Sequence, residues 1–488
     1  MNNTNFFSTV SNNLIAGNNN IHKDNLIIPY IKECIFNERN IVVLDLNKSL
    51  LKKCGKYISE LGYTVELIDA TNPKGSDLWN PLLVPYYEYQ DGNIDECVDE
   101  LYNIATIIMS DEIKIQNKDP YWDNTSIDYF VGLSLILFTE AKNESQINTR
   151  NIYYMAKSCS EKFGGSTYLK EYISEMEQDP YGISKILQSV IVAPSETKAS
   201  IEAVFYQKLN ILNRRETIFN ALGEFSINLD KVCCGKTAIF LNYSDDKTVD
   251  LPYIKIFLSQ LFHTIKKYTN YDKSVRPFNF IFKDFLSLGY VAEIERMISA
   301  NNNINNYFLV DINSLSYAER LYGDNFSEYL IAMCEGMVVV PTAEIKILSK
   351  VSELYNILAE NNNKWVSPYY LQRDTALFLL QACDPRVIHI KEIEYDEEYV
   401  YKAIICEKYQ IEEFDLKELV RDRKKQRLIR MMNENAGDDM ISIEKIQEDD
   451  RVNNLEIKDE SSMLMDRINK KISDLYAREN LNRLINDK

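Results

Sequence analysis

Histidine is nearly missing from this chain. His22, His263 and His389 are the only three among 488 residues, and they stand far apart, which argues against a metal site built on histidine. The nine cysteines are scattered and form no CxxC pair; only Cys233 and Cys234 adjoin. Zinc sites and disulfide frameworks need closer, regular spacing, so the thiols read as reduced and mostly buried. Glycine and proline are scarce, at 15 and 12, which excludes fibrous and low-complexity architectures. No apolar run approaches the roughly 20 residues that span a bilayer. The opening MNNTNFFSTVSNN has neither the basic nor the apolar region of a signal peptide. The expectation is a soluble, cytoplasmic chain that meets the inner face of the membrane only through partners. Positive charge is in deficit as well: 55 basic against 73 acidic residues give a net charge of -18. Such a balance offers no general attraction to phosphate backbones, although a local basic channel would suffice for DNA contact.

What the chain does have is material for a large core. Hydrophobic residues make up 45% of it, and its length suits two or three domains. Near the start, Leu14-Ile15-Ala16 leads through the polar loop Gly17 to Asp24 into the helical pattern NLIIPYIKECIF. The short apolar run Asn40 to Asp45 reads as a buried parallel strand. A helix, LLKKCGKYISELG, and a strand, TVELIDA, follow, in the βαβ rhythm of a doubly wound sheet. From about Asp91 to Thr217 long helical patterns take over. The strand rhythm returns at Lys236 to Leu241 and continues in FNFIFKDF, NYFLVDI and GMVVVP, with helices such as YIKIFLSQLFHTIKKY and VAEIERMISANN between them. A last α/β-like piece ends in RVIHIKEIEY. The predicted organisation is therefore 1–90 and 218–415 as two parts of one α/β domain, 91–217 as an all-α insertion, and 416–488 as a charged tail. Within that tail, about 431–460 reads as a linker and SSMLMDRINKKISDLYARENL as an amphipathic helix. The basic run Arg421 to Arg430 suits either a nucleic-acid contact or the solvated face of a surface helix.

The loop from Gly17 to Asp24 sits where a phosphate-binding loop would, between a strand and a helix. In GxxxxGK[ST] the glycines let backbone N–H groups wrap phosphates, the lysine reaches the outer phosphates and the hydroxyl holds Mg²⁺. Gly17 and Lys23 occupy the first glycine and the lysine positions. His22 replaces the second glycine, where a Cβ hinders the turn, and Asp24 replaces the hydroxyl. A polar loop of ordinary Asn and Gly residues reads similarly. A second acidic site would follow an apolar strand as Asp-Glu. After Phe280-Ile281-Phe282 the chain instead reads Lys283-Asp284: Lys283 stands in the metal-supporting place and Asp284 in that of the acid. A lysine beside Mg²⁺ is electrostatically unfavourable.

Several stretches, in order, resemble the TraG/TraD type of type IV secretion coupling proteins, ring ATPases that bring DNA or protein to a conjugation channel. IVVLDLNKSLLKKCGKYISELGYTVELIDATNP is similar to that family's Asp-Pro-Lys-Gly-Glu strand end and following helix; Asp45 is kept, while Leu46, Asn47, Lys48 and Ser49 replace the rest. Ser76-Asp77-Leu78-Trp79-Asn80-Pro81-Leu82 resembles a family segment, and Asp119-Pro120-Tyr121-Trp122 resembles the opening of its helical domain. KTAIFLNYSDD, the helix bearing Gln260 and Leu261, and Phe285-Leu286-Ser287-Leu288-Gly289 also fit. Asn313-Ser314-Leu315 resembles a Gln-containing strand end, with Asn313 at the Gln position; Asn302 stands where an Arg is expected.

The resemblance implies an α/β fold: a RecA-like P-loop NTPase core with an inserted all-α domain. It also implies ATP and Mg²⁺ as cofactors, weakly bound or absent given the substitutions, and ring assembly into homo- or hetero-oligomers. The family's N-terminal membrane anchor is expected to be missing, because the chain starts almost at the loop. Scaffold is retained and catalytic machinery is substituted. The leading reading is a degenerate coupling protein, a scaffold or substrate receptor among type IV secretion or conjugation components and beside an active paralogue. It competes with an active DNA-translocating ATPase using Lys23, Asp24 and Asp284, and with a DNA-packaging or replication accessory protein.

Overall fold

The computed structural model describes residues 6–435, apart from 19–22, 110–118, 164, 177, 180, 214–216, 219–221, 224–225, 244–246, 272–274, 292–293, 300–304, 359–366, 382, 394–397 and 404–410. Contacts divide the chain into two units: Met1–Asn151 with Pro194–Glu412, and Ile152–Ala193 with the segment from Glu413 on.

The first unit is built on a nine-stranded sheet. Its strands are β1 (Asn13–Ala16), β2 (Asn40–Leu44), β3 (Thr64–Asp69), β6 (Thr237–Asn242), β7 (Phe278–Phe282), β8 (Tyr307–Ile312), β9 (Gly336–Val339), β10 (Thr375–Leu380) and β11 (Arg386–His389). They lie in the order β11-β10-β9-β1-β8-β7-β2-β6-β3. From β9 to β3 every pairing is parallel; β10 and β11 add antiparallel to one side. The apolar runs of β2, β6 and β7 are buried along their whole length, as parallel strands covered on both faces must be. On one face Ile41, Val43, Phe240 and Ile281 pack with α1 (Lys23–Phe36) and α2 (Ser49–Glu60) through Ile27, Ile31, Leu51 and Ile58. The other face carries stacked aromatics: Phe280 lies 4.8 Å from Phe308, and Phe262 of the helix Lys247–Tyr271 meets Phe280 edge-on. In the piece ending in RVIHIKEIEY, the residues Arg386–His389 form β11. Its neighbour β10, TALFLL, is an added strand whose unbroken apolar run has no period to separate strand from helix.

Helices α3 (Leu83–Gln90), α4 (Ile94–Met109) and α5 (Tyr121–Glu140), with the helix Ser195–Asn213, form the helical part of this unit. Helix α5 is apolar nearly all round and buried from Thr125 to Phe138, except Asp128, which makes it the centre of that layer. The segment resembling the family, Ser76 to Leu82, joins the layers: Trp79 Nε1 donates to Gln260 Oε1 at 2.9 Å, and Gln260 Nε2 donates to the Pro81 carbonyl at 2.8 Å. No helix among the described residues is long and apolar enough to cross a membrane.

The second unit contains a small antiparallel hairpin, β4 (Lys162–Phe163) and β5 (Ser166–Thr167), the helix Tyr168–Ser174, and the helix Leu416–Asn435. That last helix carries the chain past residue 431, where the linker was expected to begin. The amphipathic segment SSMLMDRINKKISDLYARENL lies outside the described residues.

Candidate nucleotide site

Because β1, β8, β7 and β2 are adjacent and parallel, the residues after their C-terminal ends converge at one edge of the sheet, the place where ligands bind in doubly wound folds. Gly17 ends β1 with φ +124, and a Cβ there would lie 2.7 Å from the Val340 carbonyl oxygen. Only glycine fits both the backbone and the space. His22 and Asn302 lie outside the described residues.

Lys23 opens α1 and points inward. It is 1% exposed, its Nζ lies 2.6 Å from Asp311 Oδ1 at the end of β8, and it donates to Asn313 Oδ1 at 2.5 Å. Asn313 Nδ2 in turn donates to Asp284 Oδ1 at 2.8 Å. Asn313 thus bridges Lys23 and Asp284. Asp284 itself holds a left-handed backbone, φ 50, and its N–H donates to Asp311 Oδ2 at 3.2 Å. Burial pushes the Asp311 carboxyl above its ordinary range; Lys23 opposes this and Asp284 adds to it.

Asp24, one residue on, faces two other cations. Lys283 Nζ lies 2.5 Å from Asp24 Oδ1 and donates to Ser49 Oγ at 2.8 Å. Lys53 Nζ lies 2.8 Å from Asp24 Oδ2. Burial raises the Asp24 carboxyl, but Lys283 and Lys53 together outweigh it and hold the group below its ordinary value. Asp45, the family-like acid, caps α2: its oxygens accept from the N–H of Leu50 at 3.0 Å and Leu51 at 2.7 Å. Lys48 adopts a left-handed backbone, φ 57, at the position where the resemblance expects glycine, and its Nζ reaches Asp69 at 2.8 Å.

The six residues singled out from sequence therefore fall as follows. Gly17, Lys23, Asp24, Asp284 and Asn313 lie at the same sheet edge, Lys23, Asp284 and Asn313 in one hydrogen-bonded chain; His22 is not described. Sequence reasoning missed Asp311 and Lys53, and read Ser49 only as a substituted family position. Asp311 carried a signal, since an acid inside the apolar run YFLVDI must find a buried partner. Among the described residues no group of histidines, cysteines and acids is arranged to hold a metal ion.

A family model described as type IV secretory system conjugative DNA transfer matches residues 24–351. The fold is similar to that of the bacterial conjugative coupling protein TrwBdeltaN70 in its unbound monoclinic form, with 11% identity, 79% of this chain and 85% of that one covered, and a TM-score of 0.55. The plasmid coupling protein TrwB in complex with the non-hydrolysable GTP analogue GDPNP matches with 11% identity over 80% of this chain and 88% of that one, at 0.56. Its complex with ADP and Mg²⁺ matches with 12% identity over 80% and 87%, at 0.52. No curated protein matches the chain. At these identities the likeness concerns architecture: a RecA-like α/β core carrying a helical domain.

Proposed function

Because this chain belongs to the type IV secretory system conjugative DNA transfer family, we propose that it serves such a machine as a non-hydrolysing coupling-protein relative, a scaffold or substrate-receptor subunit. The observation that carries this reading is the Asp24–Lys283 ion pair. In an active P-loop enzyme a hydroxyl at the helix start and an acid after the second strand share a Mg²⁺. Here those two positions bear opposite charges and close directly on each other. An ammonium group thus takes the place of the metal's bridging charge.

Mg²⁺ needs near-octahedral oxygen ligands and sheds water reluctantly. The oxygens of Asp24 and Ser49 already engage Lys283, and the second oxygen of Asp24 engages Lys53. Lys23, the residue that would reach the outer phosphates, is buried against Asp311 and Asn313. Asp284 and Asn313, which would orient water, are bonded to each other. The residues present do not fit a Mg²⁺–nucleotide complex, and no hydrolytic step is assigned to them. On this reading the partners are secretion or conjugation components, including an active paralogue that hydrolyses ATP in a shared oligomer. A net charge of -18 gives the chain no overall attraction to DNA.

Titration of Mg²⁺-ATP into the full chain by calorimetry tests this, with Lys23→Ala as control and circular dichroism to confirm folding. No binding heat is expected from either protein. Binding by the native chain that disappears in Lys23→Ala would replace this reading with that of an active motor.

A further inference from the structure

We propose that β4, β5 and the helix Tyr168–Ser174 form a groove for a basic amphipathic helix of a partner protein, and that the chain's own helix Leu416–Asn435 occupies this groove as an internal competitor. The proposal rests on the receptor reading above and names its ligand class.

The groove is made of aromatic faces and carboxylates. Phe163 and Tyr168 stack with centroids 4.7 Å apart; Tyr168, Leu169 and Tyr172 are buried. Glu161, Glu171 and Glu175 flank them. The occupying helix begins with the buried anchors Leu416 and Val420, and then its inner face turns cationic. Lys417 Nζ lies 2.5 Å from Glu161, Lys424 Nζ lies 3.0 Å from Glu171, and Arg427 Nη1 lies 2.7 Å from Glu175. The Lys424 ammonium also sits 5.1 Å from the Phe163 centroid, and the Arg423 guanidinium 5.3 Å from that of Tyr172. Arg421 Nε donates to the Tyr168 hydroxyl at 3.1 Å. Positions 417, 420, 424 and 427 fall on one helical face. Lys417, Arg421, Arg423, Lys424 and Arg427 thus meet these acids and rings, while Asp422, Lys425 and Gln426 on the exposed side mix charge signs. The run is therefore a helix-in-groove ligand rather than a nucleic-acid face.

Two features make the contact exchangeable. Among the described side chains between Val420 and Arg427, the inward contacts of this helix are ion pairs and cation–π contacts. These are individually weak, and the exposed ones are screened by salt; Arg427 is 52% exposed. The helix is also tethered. Glu412, four residues before Leu416, is fixed by its carbonyl to Asn151 Nδ2 at 2.9 Å and by its N–H to the Ser145 carbonyl at 3.2 Å. A displaced helix stays nearby at high effective concentration, so the groove opens only to a partner that outcompetes it.

The test measures fluorescence anisotropy of two labelled peptides against the full chain without nucleotide. One peptide is residues 416–435; the other is a designed helix keeping only the Leu416, Val420, Arg423, Lys424 and Arg427 pattern. Both are expected to bind a Lys424→Glu/Arg427→Glu chain at least tenfold more tightly than the native chain. Adding Glu171→Lys to that chain should abolish binding. Circular dichroism and urea denaturation of each variant, matching the native chain, guard against misfolding of the charge variants. Binding of only the natural peptide, binding indifferent to Glu171, no binding at all, or displacement of the helix by duplex DNA rather than by peptide would each overturn the proposal. Because no nucleotide is present, such a failure leaves the non-hydrolysing reading intact, and ATP binding would overturn only that reading.

Discussion

Lys283 Nζ lies 2.5 Å from Asp24 Oδ1, so the residue that follows β7 closes on the first turn of α1. Both side chains are mostly buried, at 13% and 14% exposure, where an ion pair is less screened than on an open surface. A double-mutant cycle of Lys283→Met and Asp24→Asn in urea should give a coupling of roughly 1–3 kcal/mol. Strictly additive single effects would show that the pair contributes nothing. The pH sign follows from the Asp24 carboxyl being held below its ordinary value. The pair's contribution is present above the unfolded-state pKa and is lost as pH falls through the lower native one. Native chain and Lys283→Met should therefore differ most near neutrality and converge in acid.

Lys23 and Asp311 are both 1% exposed. Removing one member of a buried pair leaves the other uncompensated, and Lys23→Met should cost about 3–5 kcal/mol of unfolding free energy. The double variant Lys23→Met/Asp311→Leu should recover most of that loss, because an apolar pair of similar volume needs no desolvated charge. Chemical denaturation of the three proteins decides it; a double variant no more stable than Lys23→Met would sink the account.

Gly17 tests the loop scaffold independently of any charge. A Cβ at its φ of +124 would stand 2.7 Å from the Val340 carbonyl. Gly17→Ala should lower stability by roughly 1–3 kcal/mol or more through combined backbone strain and overlap. A thermal midpoint unchanged from the native chain would contradict this.

Away from this edge, Glu66 and Asp77 share a partly buried corner of β3, where Asp77 also accepts from the Tyr401 hydroxyl and from the Leu67 N–H. Burial, and then the neighbouring Asp77, push the Glu66 carboxyl up to about 8. For an acid with a raised native pKa, stability is full below the unfolded-state value and declines as pH rises through the native one. Glu66→Gln should remove that decline, and its advantage over the native chain should grow from about pH 5 to pH 8. Parallel stability curves across that range would show that Glu66 is not held protonated.

The apolar runs and their βαβ spacing were enough to place the strands, because a strand buried on both faces has no alternative to continuous apolar sequence. NIVVL, TAIFLN, FNFIF and YFLVDI each became an interior strand. The run TALFLL of β10 was harder to read, since a strand added antiparallel obeys no crossover rhythm. The glycine at 17 was legible as a loop residue; that it must be glycine depended on Val340, 323 residues away in sequence.

The amino-acid sequence by itself put Lys283 just after an apolar strand and Asp24 at a helix start, where the family resemblance led us to expect an acid and a hydroxyl, since local strand–loop–helix order is written in the apolar pattern. Only the tertiary structure decided that these two departures meet. Parallel packing of β1, β8, β7 and β2 brings their C-terminal ends together, and an ammonium placed beside a carboxylate in a poorly solvated edge pairs with it rather than with solvent. The same holds for the basic run Arg421 to Arg430. Its charge was evident in the sequence, but the glutamates and aromatic rings it faces come from residues 161–175, and only folding supplies them.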